Sequence, residues 1–214
     1  MKNTATKLTE FYQIHHRDGN RYGGSVMESK RANLYRDWIP KGSKIVDLGG
    51  RDGQLTRHFI EGNDVIIGDI DQVALERAKE KYNVETQLVN LNENLPFEDN
   101  SFDIVTMSEV LEHLPYLHIT LSEIKRIVSP NGYFICNFPL AYHLQDRIRV
   151  MTGDRLTISK DPTHLQFLSY ADAMKLLGTY FDIDSVHILK GGKIANTFPN
   201  LFARNVAFKC KKTG

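Results

Sequence analysis

Cysteine, long apolar runs and an excess of charge of either sign are all scarce in this chain. Cys136 and Cys210 are the only cysteines among 214 residues, and their separation does not match the spacing of a metal site. We expect two buried free thiols in a reducing compartment. No apolar run approaches the ~18 residues of a membrane span, and residues 1–10 are polar, unlike a signal peptide. These absences predict a cytoplasmic protein without membrane insertion.

Charge is almost balanced, with 27 Lys and Arg against 26 Asp and Glu and a formal net charge of +1. Such a balance provides no general attraction to nucleic acid or to acidic membranes. The length suits one domain that buries roughly 70% of its unfolded surface. We therefore expect a single domain with a small-molecule partner, while the oligomeric state stays open.

The most informative segment runs from Ile45 to Gly53, with the sequence Ile-Val-Asp-Leu-Gly-Gly-Arg-Asp-Gly. An apolar run ends there in an acid and a glycine-rich turn, and residues 55–60 predict an amphipathic helix behind it. This arrangement lets the backbone approach a ligand closely. The turn alone fits both dinucleotide-binding proteins and S-adenosylmethionine (SAM) enzymes.

Strand-like and helix-like segments alternate after this turn. The predicted strands cover 65–69, 85–89, 102–107 and 133–138, and the predicted helices cover 28–39, 73–82, 119–128 and 170–180. Such alternation indicates a parallel sheet with helices on both faces. Two further strands, 181–189 and 202–210, follow each other around Gly191-Gly192 and predict an antiparallel pair at one edge.

Three motifs carry a resemblance to class I SAM-dependent methyltransferases. They are the turn with the strand that ends at Asp69, the run Leu95-Pro96-Phe97…Ser101-Phe102-Asp103, and Ser108-Glu109-Val110-Leu111-Glu112-His113-Leu114. The second motif is the most specific, since a Rossmann dehydrogenase has no reason to carry it. The resemblance covers roughly residues 30–190.

The resemblance implies a Rossmann-like α/β fold. We expect a three-layer α/β/α sandwich whose seven-stranded sheet is mostly parallel and closes with the antiparallel pair. One domain would then comprise an N-terminal helical cap (1–42), a SAM-binding core (43–137), an acceptor lid (138–168) and the C-terminal part of the core (169–214).

The same resemblance assigns residues to SAM. Backbone at Gly49, Gly50 and Gly53 would meet the methionine end. Asp69, followed by Ile70, would accept the ribose hydroxyls, with Asp71 as the second candidate.

The adenine would meet Asn90, which stands where the family usually has an acid, and Leu91. Asp47 either contacts the ligand or orders the turn from beneath. Ser108 is expected at the cofactor and as the cap of a following helix.

Arg51 departs from the family, whose turn commonly has glycine at this position. A side chain there demands a permitted backbone conformation. Its guanidinium either pairs with the SAM carboxylate or points to solvent. Arg31, on the helix before the core, competes for the carboxylate.

The acceptor side is predicted from acids and histidines. On a helix, Glu109, Glu112 and His113 would share one face, and His164 follows far downstream. This set resembles that of the metal-dependent O-methyltransferases of ubiquinone biosynthesis and of small-RNA 3′-end 2′-O-methylation, in which a divalent metal activates a hydroxyl. The alternatives are a metal-free role for His113 or His164 near the acceptor, or a structural one.

Two further segments are expected over the acceptor. Residues 138–160 contain Arg147, Arg149 and Arg155, which would suit an anionic acceptor unless they belong to a solvated helix. Residues 11–16, with two histidines, are expected to fold over the same cleft or to lie on the surface.

The resulting expectation is O-methylation of a small-molecule or sugar-type acceptor, possibly of anionic character. An RNA 2′-O-methyltransferase is one alternative, disfavoured by the net charge and the lack of a basic appended domain. A non-catalytic SAM-binding regulatory protein is the other, kept open by the altered turn.

Overall fold

The computed structural model describes residues 4–212 of the chain. These residues contain seven β-strands and seven α-helices. The strands are β1 Lys44–Leu48, β2 Asp64–Asp69, β3 Glu85–Leu88, β4 Phe102–Ser108, β5 Val128–Pro139, β6 Phe181–Lys190 and β7 Asn205–Lys212. The helices are α1 Thr4–Asp18, α2 Glu28–Trp38, α3 Gln72–Tyr82, α4 Leu117–Ile127, α5 Leu144–Met151, α6 Tyr170–Gly178 and α7 Pro199–Phe202.

All seven strands join one sheet in the order β3-β2-β1-β4-β5-β7-β6. The first five strands pair in parallel, and β7 runs antiparallel to both of its neighbours, β5 and β6. The predicted Rossmann-like α/β sandwich with an antiparallel C-terminal pair is therefore confirmed. None of the helices in residues 4–212 is long and apolar enough to cross a membrane.

The central strands are apolar on both faces because helices cover the sheet on both sides. In β1, Val46 and Leu48 pack into the hydrophobic cluster of α4 and α6, while Ile45 packs into the cluster of α2 and α3. β4 divides in the same way, with Val105 on one side and Ile104 on the other. Alternating side chains of each strand thus hold two cores, one above and one below the sheet.

Two predictions of elements outside the glycine-rich turn and the acceptor-side motif were wrong. The helix expected over residues 55–60 is only a 3₁₀ turn, Thr56–His58, because the chain reverses at Gly62 before a helix could form enough hydrogen bonds to offset nucleation. The last two strands are not joined by a tight glycine turn. Residues 191–204 contain a 3₁₀ turn, Lys193–Asn196, and α7, so Phe202 lies in a helix and not in a strand.

Phe208 tests the core at the antiparallel edge. Its ring is fully buried and stacks on Phe138 with centroids 5.7 Å apart. We expect Phe208→Ala to lower the free energy of unfolding in urea by about 3–5 kcal/mol because it leaves a cavity. Phe198→Ala, which removes a ring that is 54% exposed, should change it by less than about 0.5 kcal/mol. Equal effects of the two substitutions would contradict this packing.

Candidate active site

The glycine-rich turn follows β1 and has an unusual backbone. Gly49, Arg51 and Gly53 all have positive φ, at 75°, 52° and 73°. A side chain at Gly49 would overlap Val110, so this position requires glycine for space as well as conformation. Arg51 adopts the left-handed conformation that glycine favours, at a cost of roughly 1–2 kcal/mol.

Asp47 lies directly beneath the turn. Its two carboxylate oxygens accept hydrogen bonds from Thr56 at 2.5 Å and from Thr106 at 2.7 Å. Gly50 rests on the carboxylate, since a Cβ there would lie 2.8 Å from Asp47 Oδ2. Burial raises the pKa of Asp47 to about 6, even though both hydroxyls lower it. Of the two roles expected for Asp47, this geometry supports ordering of the turn.

A cavity of about 720 Å³ opens above the carboxyl ends of β1, β2 and β4. Ligands of open α/β sheets bind at this edge, and the volume suits a small-molecule ligand. The cavity brings together most of the residues that the sequence singled out, namely Asp47, Gly49, Gly50, Arg51, Asp69, Ile70, Asn90, Leu91, Ser108, Glu109, Glu112, His113 and His164. Gly53 does not line it.

Asp69 ends β2 at the cavity wall. Its carboxylate accepts hydrogen bonds from the backbone N–H groups of Arg51 and Asp71, both at 2.9 Å, and burial raises its pKa. Asp71, the second candidate, does not line the cavity. It caps α3 by accepting from the backbone N–H groups of Val73 and Ala74, so that of the two candidates only Asp69 lines the cavity.

Asn90 and Leu91 follow β3 and line the cavity. The side-chain oxygen of Asn90 accepts from the backbone N–H of Asn92 at 3.1 Å, and its amide nitrogen donates to Glu93 at 2.7 Å. Asn90 therefore shapes the loop that carries Leu91 while it lines the cavity.

Arg31 is a buried cation, only 2% exposed. One terminal nitrogen donates to Ser25 at 2.7 Å, whereas Nε is buried without a partner. No ion pair joins Arg31 to a carboxylate among residues 4–212. A buried guanidinium with unused donors at a cavity is suited to an anionic ligand group.

The guanidinium of Arg51, in contrast, already has protein partners. It donates to the backbone oxygen of Gly24 and lies 3.2 Å from Asp52 Oδ1. Asp52 in turn accepts the backbone N–H of Gly23 at 2.6 Å. The side chain thus ties residues 19–26 to the turn, a contact that the sequence did not indicate, while Arg51 also lines the cavity.

Helix α1 and residues 19–26, together called the N-terminal strap, cover the cavity. Tyr12, His15 and His16 line it from above. His16 and Tyr22 both donate to Asp71, at 2.8 and 2.7 Å, and Arg21 pairs with Asp161 at 2.7 Å. Sequence reasoning predicted the cover from residues 11–16, which include Tyr12, but missed Arg21 and Asp161 as lining residues.

The helix predicted from Ser108 to His113 does not form. Ser108 ends β4, where its hydroxyl contacts that of Tyr35 at 2.6 Å, and Glu109 has a φ of 56°. The backbone N–H of Glu109 donates to Asn137 of β5, and Pro115 restricts the residue before it. Only Leu111–His113 form a 3₁₀ turn, and α4 begins without a side-chain cap.

Glu109 consequently does not belong to the compact group that Glu112, His113 and His164 form. Asn137 and Asn205 both donate to its Oε1, at 2.5 and 2.8 Å. Burial raises the pKa of Glu109, whereas the charge of Arg31 lowers it. Glu109 is the acid at which β4, β5 and β7 meet.

Glu112, His113 and His164 form a compact cluster. One ligand atom from each residue lies within 4.8 Å of the others, and the two rings are 4.7 Å apart. Burial raises the pKa of Glu112 well above its ordinary value, and Oε2 has no partner. Burial, followed by the neighbouring His164, lowers the pKa of His113 to about 4.

Hydrogen bonds orient both imidazoles in the same sense. Nδ1 of His113 donates to the backbone oxygen of Thr163 at 3.1 Å, and Nδ1 of His164 donates to that of Ile158 at 2.8 Å. Because a carbonyl can only accept, each ring keeps an unprotonated Nε2 when neutral. The cluster therefore offers two basic nitrogens and a carboxyl group in one corner of the cavity.

The three arginines expected over the acceptor do not line the cavity. Arg147 donates to the backbone oxygen of Tyr142, Arg149 pairs with Asp154, and Arg155 is exposed. From residues 138–168 only Asp161 and His164 line it. The arginines thus give no support to an anionic acceptor.

Comparison with known proteins agrees with this architecture. Residues 46–136 match the family model described as a methyltransferase domain. The match covers less than half of the chain. It agrees with the resemblance to class I SAM-dependent methyltransferases that the three motifs carry.

The curated relatives include the ubiquinone/menaquinone biosynthesis C-methyltransferases UbiE. The protein of Pseudoalteromonas translucida is 33% identical over 114 residues, which are 48% of this chain and 45% of that protein. The protein of Brucella canis is 36% identical over 95 residues, 44% of this chain and 33% of that protein. The chain thus spans less than half the length of these relatives.

Solved structures share the fold at low sequence identity. A SAM-dependent methyltransferase of Methanosarcina mazei has a TM-score of 0.64 and 17% identity, covering 84% of this chain and 96% of its own. Geranyl diphosphate C-methyltransferase of Streptomyces coelicolor, in complex with S-adenosyl-L-homocysteine, has a TM-score of 0.63 and 12% identity, covering 86% and 76%.

Arg51 as a tie to the N-terminal strap is directly testable. In Arg51→Ala the contacts with Gly24 and Asp52 are lost, so we expect faster amide hydrogen exchange in residues 19–26. Arg57→Ala, which removes an exposed guanidinium paired with Glu28, is the matched control and should leave this exchange unchanged. Unaltered protection of residues 19–26 in Arg51→Ala would show that the strap is held without this side chain.

Proposed function

We propose that this chain is a SAM-dependent methyltransferase that binds SAM along the glycine-rich turn, beneath the N-terminal strap. The observation that carries this proposal is that one cavity is lined both by Asp69, at the end of β2, and by the buried Arg31. A ribose diol and a carboxylate are the two groups of SAM that such side chains recognise. SAM supplies an activated methyl group on its sulfonium.

Arg31 and not Arg51 is proposed to hold the carboxylate. Arg31 is buried with an unpartnered Nε, whereas the guanidinium of Arg51 is engaged by Gly24 and Asp52. The backbone of the turn at Gly49 and Gly50 is proposed to contact the methionine end of SAM. Asp69 is proposed for the ribose, with Ile70, Asn90 and Leu91 around the adenine.

Two ligands that differ in the amino-acid part of SAM separate these roles. S-adenosylhomocysteine carries the carboxylate, whereas 5′-methylthioadenosine lacks it. In calorimetry we expect Arg31→Met to weaken the binding of S-adenosylhomocysteine by about 10- to 100-fold. This is the effect of losing charge-assisted hydrogen bonds worth about 1.5–3 kcal/mol. Binding of 5′-methylthioadenosine should be unchanged, which controls for misfolding. Arg51→Ala should bind both ligands with affinities closer to those of the wild type. Weaker binding of S-adenosylhomocysteine by Arg51→Ala than by Arg31→Met would contradict the assignment.

The acceptor is proposed to be a small molecule with an acidic hydroxyl, methylated on oxygen. Nε2 of one of the two imidazoles, His113 or His164 in its neutral form, accepts the hydroxyl proton, while the oxygen forms a bond to the methyl carbon as the carbon–sulfur bond of SAM breaks in line with it. Positioning of the two substrates supplies much of the rate, since the donor is already activated. Exclusion of water by the N-terminal strap strengthens these interactions.

Carbon is the second candidate for the methylated atom. The relatives are named C-methyltransferases, and deprotonation of a conjugated hydroxyl makes its ring carbons nucleophilic as well. A catechol and a naphthohydroquinone, each supplied with ¹³C-methyl SAM, distinguish the two. The product's methyl resonance identifies attachment to oxygen or to carbon.

His113 and His164 are tested by turnover against cofactor binding. Loss of a positioned base typically costs about 10²–10⁴ in rate, so we expect His113→Ala and His164→Ala each to lose activity on that scale. Their affinity for S-adenosylhomocysteine should be retained. His118→Ala, outside the cavity, is the control. Wild-type turnover in both variants would exclude the two histidines from the reaction.

A divalent metal is the second way in which this cluster could act. Glu112, His113 and His164 are a donor set of the type found in catalytic zinc sites with an open position, and the unpartnered Oε2 of Glu112 fits that role. A bound metal would acidify the acceptor hydroxyl. Glu109, included in the expected ligand set, lies outside the group.

Chelation separates the two modes of action. If the imidazoles act directly, EDTA leaves turnover unchanged. If a metal acts, EDTA abolishes turnover, and Mg²⁺, Mn²⁺ or Zn²⁺ restores it in wild type but not in Glu112→Gln.

A further inference from the structure

Helix α5 exposes its apolar side chains and buries a charged one. Leu144, Ile148 and Met151 form one stripe at i, i+4 and i+7 and are 40%, 53% and 86% exposed. Asp146, on the opposite side, is fully buried. A surface helix of a globular protein normally has the reverse arrangement. The stripe is therefore a candidate contact surface.

Hydrogen bonds fix this orientation of α5. Asp146 accepts from the backbone N–H of Tyr142 at 3.1 Å and from the backbone and hydroxyl of Thr157 at 2.9 and 2.7 Å. His143 lies 3.4 Å from the same carboxylate. Rotation that buried the apolar stripe would leave Asp146 without these partners, at a cost that apolar packing does not readily offset.

A second cavity of about 410 Å³ lies at the start of α5. Its polar wall contains His143, Gln145, Lys190 and Arg204, and its apolar wall contains Leu144, Leu201 and Phe202. None of the described residues that line it is acidic. His143 is only 4% exposed, and its Nδ1 has no hydrogen-bond partner. The cavity thus combines two cations, an unpartnered imidazole nitrogen and apolar walls.

Positive charge extends from this cavity along α5. Arg147 and Arg155 are exposed. The one exposed acid of residues 144–155 is Asp154, which pairs with Arg149 at 2.7 Å. The overall net charge of +1 conceals this local concentration, so the balance that predicted no general attraction to acidic membranes does not apply to this face.

We propose that α5 and the basic cavity bind the surface of an anionic phospholipid bilayer. Leu144, Ile148 and Met151 would enter the boundary between headgroups and acyl chains, while Lys190 and Arg204 meet lipid phosphate. Apolar burial beside cationic side chains is the combination that attaches a helix to an anionic membrane surface. A second copy fits less well, since a two-fold contact would oppose like charges.

Helix α5 is connected to the active-site cavity by hydrogen bonds. Asp146 of α5 binds Thr157, and the backbone oxygen of the next residue, Ile158, accepts from His164. A bilayer bound at α5 therefore lies one short segment from the acceptor side of the site.

Vesicle flotation tests the proposal. We expect the wild-type chain to float with vesicles that contain phosphatidylglycerol, and to dissociate as salt is raised. The double substitution Ile148→Glu and Met151→Glu should lower the bound fraction by about tenfold or more, because it places charge in the apolar boundary. Ile119→Glu, which alters an apolar side chain of α4 that is 44% exposed, is the matched control and should bind like wild type.

Arg147→Gln with Arg155→Gln should weaken binding to anionic vesicles and reduce its salt dependence. Affinity for S-adenosylhomocysteine, measured on every variant, confirms that the fold is intact. Absence of wild-type flotation at low salt, or undiminished flotation of the double glutamate variant, would overturn the proposal. So would a dimer in sedimentation velocity that the glutamates abolish without any vesicle binding, since the face would then belong to a second copy.

Discussion

The buried carboxylate of Asp47 holds the active-site edge together. Asp47 pairs with Thr106 in the register of β1 and β4 and accepts the hydroxyl of that residue, while Thr56 binds it from the segment after the turn. Gly50 then rests on the same carboxylate. Without this acid the loop that lies between β1 and Thr56 would lose its support from below, and with it the position of Asp69, whose carboxylate receives the N–H of Arg51.

A second layer of contacts closes the cavity from above. The N-terminal strap is held at three separate elements, by Asp52 in the turn, Asp71 at the start of α3 and Asp161 before His164. These contacts tie the strap to three parts of the chain that are far apart in sequence. The low dielectric of the enclosed cavity is consistent with the raised pKa of Glu112 and the lowered pKa of His113.

Much of this arrangement could be predicted from the sequence because its signals are local. The strand and turn around Asp47, the acid at the end of β2 and the Leu-Pro-Phe…Ser-Phe-Asp run each fall within a few residues, and periodicity marks α2, α3 and α4. The sequence also predicted that Glu112, His113 and His164 lie at one site. The shared helix face expected for Glu112 and His113 was wrong, because no α-helix forms there.

The failures share a cause, which is long-range contact. Glu109 leaves the helical path because Asn137 and Asn205, far along the chain, bind its backbone and side chain. Arg51 turns to Gly24, and Arg147 and Arg149 turn outward because Asp146 of the same helix is held by Thr157. No property of a single segment contains these partners, so periodicity and spacing could not indicate them.

A crystal structure with S-adenosylhomocysteine tests the central claim most directly. The account predicts the ribose hydroxyls on Asp69, the carboxylate on Arg31 and the N-terminal strap closed over the ligand, with Arg51 still bound to Gly24. A ligand bound outside this cavity, or with its carboxylate on Arg51 and the strap displaced, would contradict it.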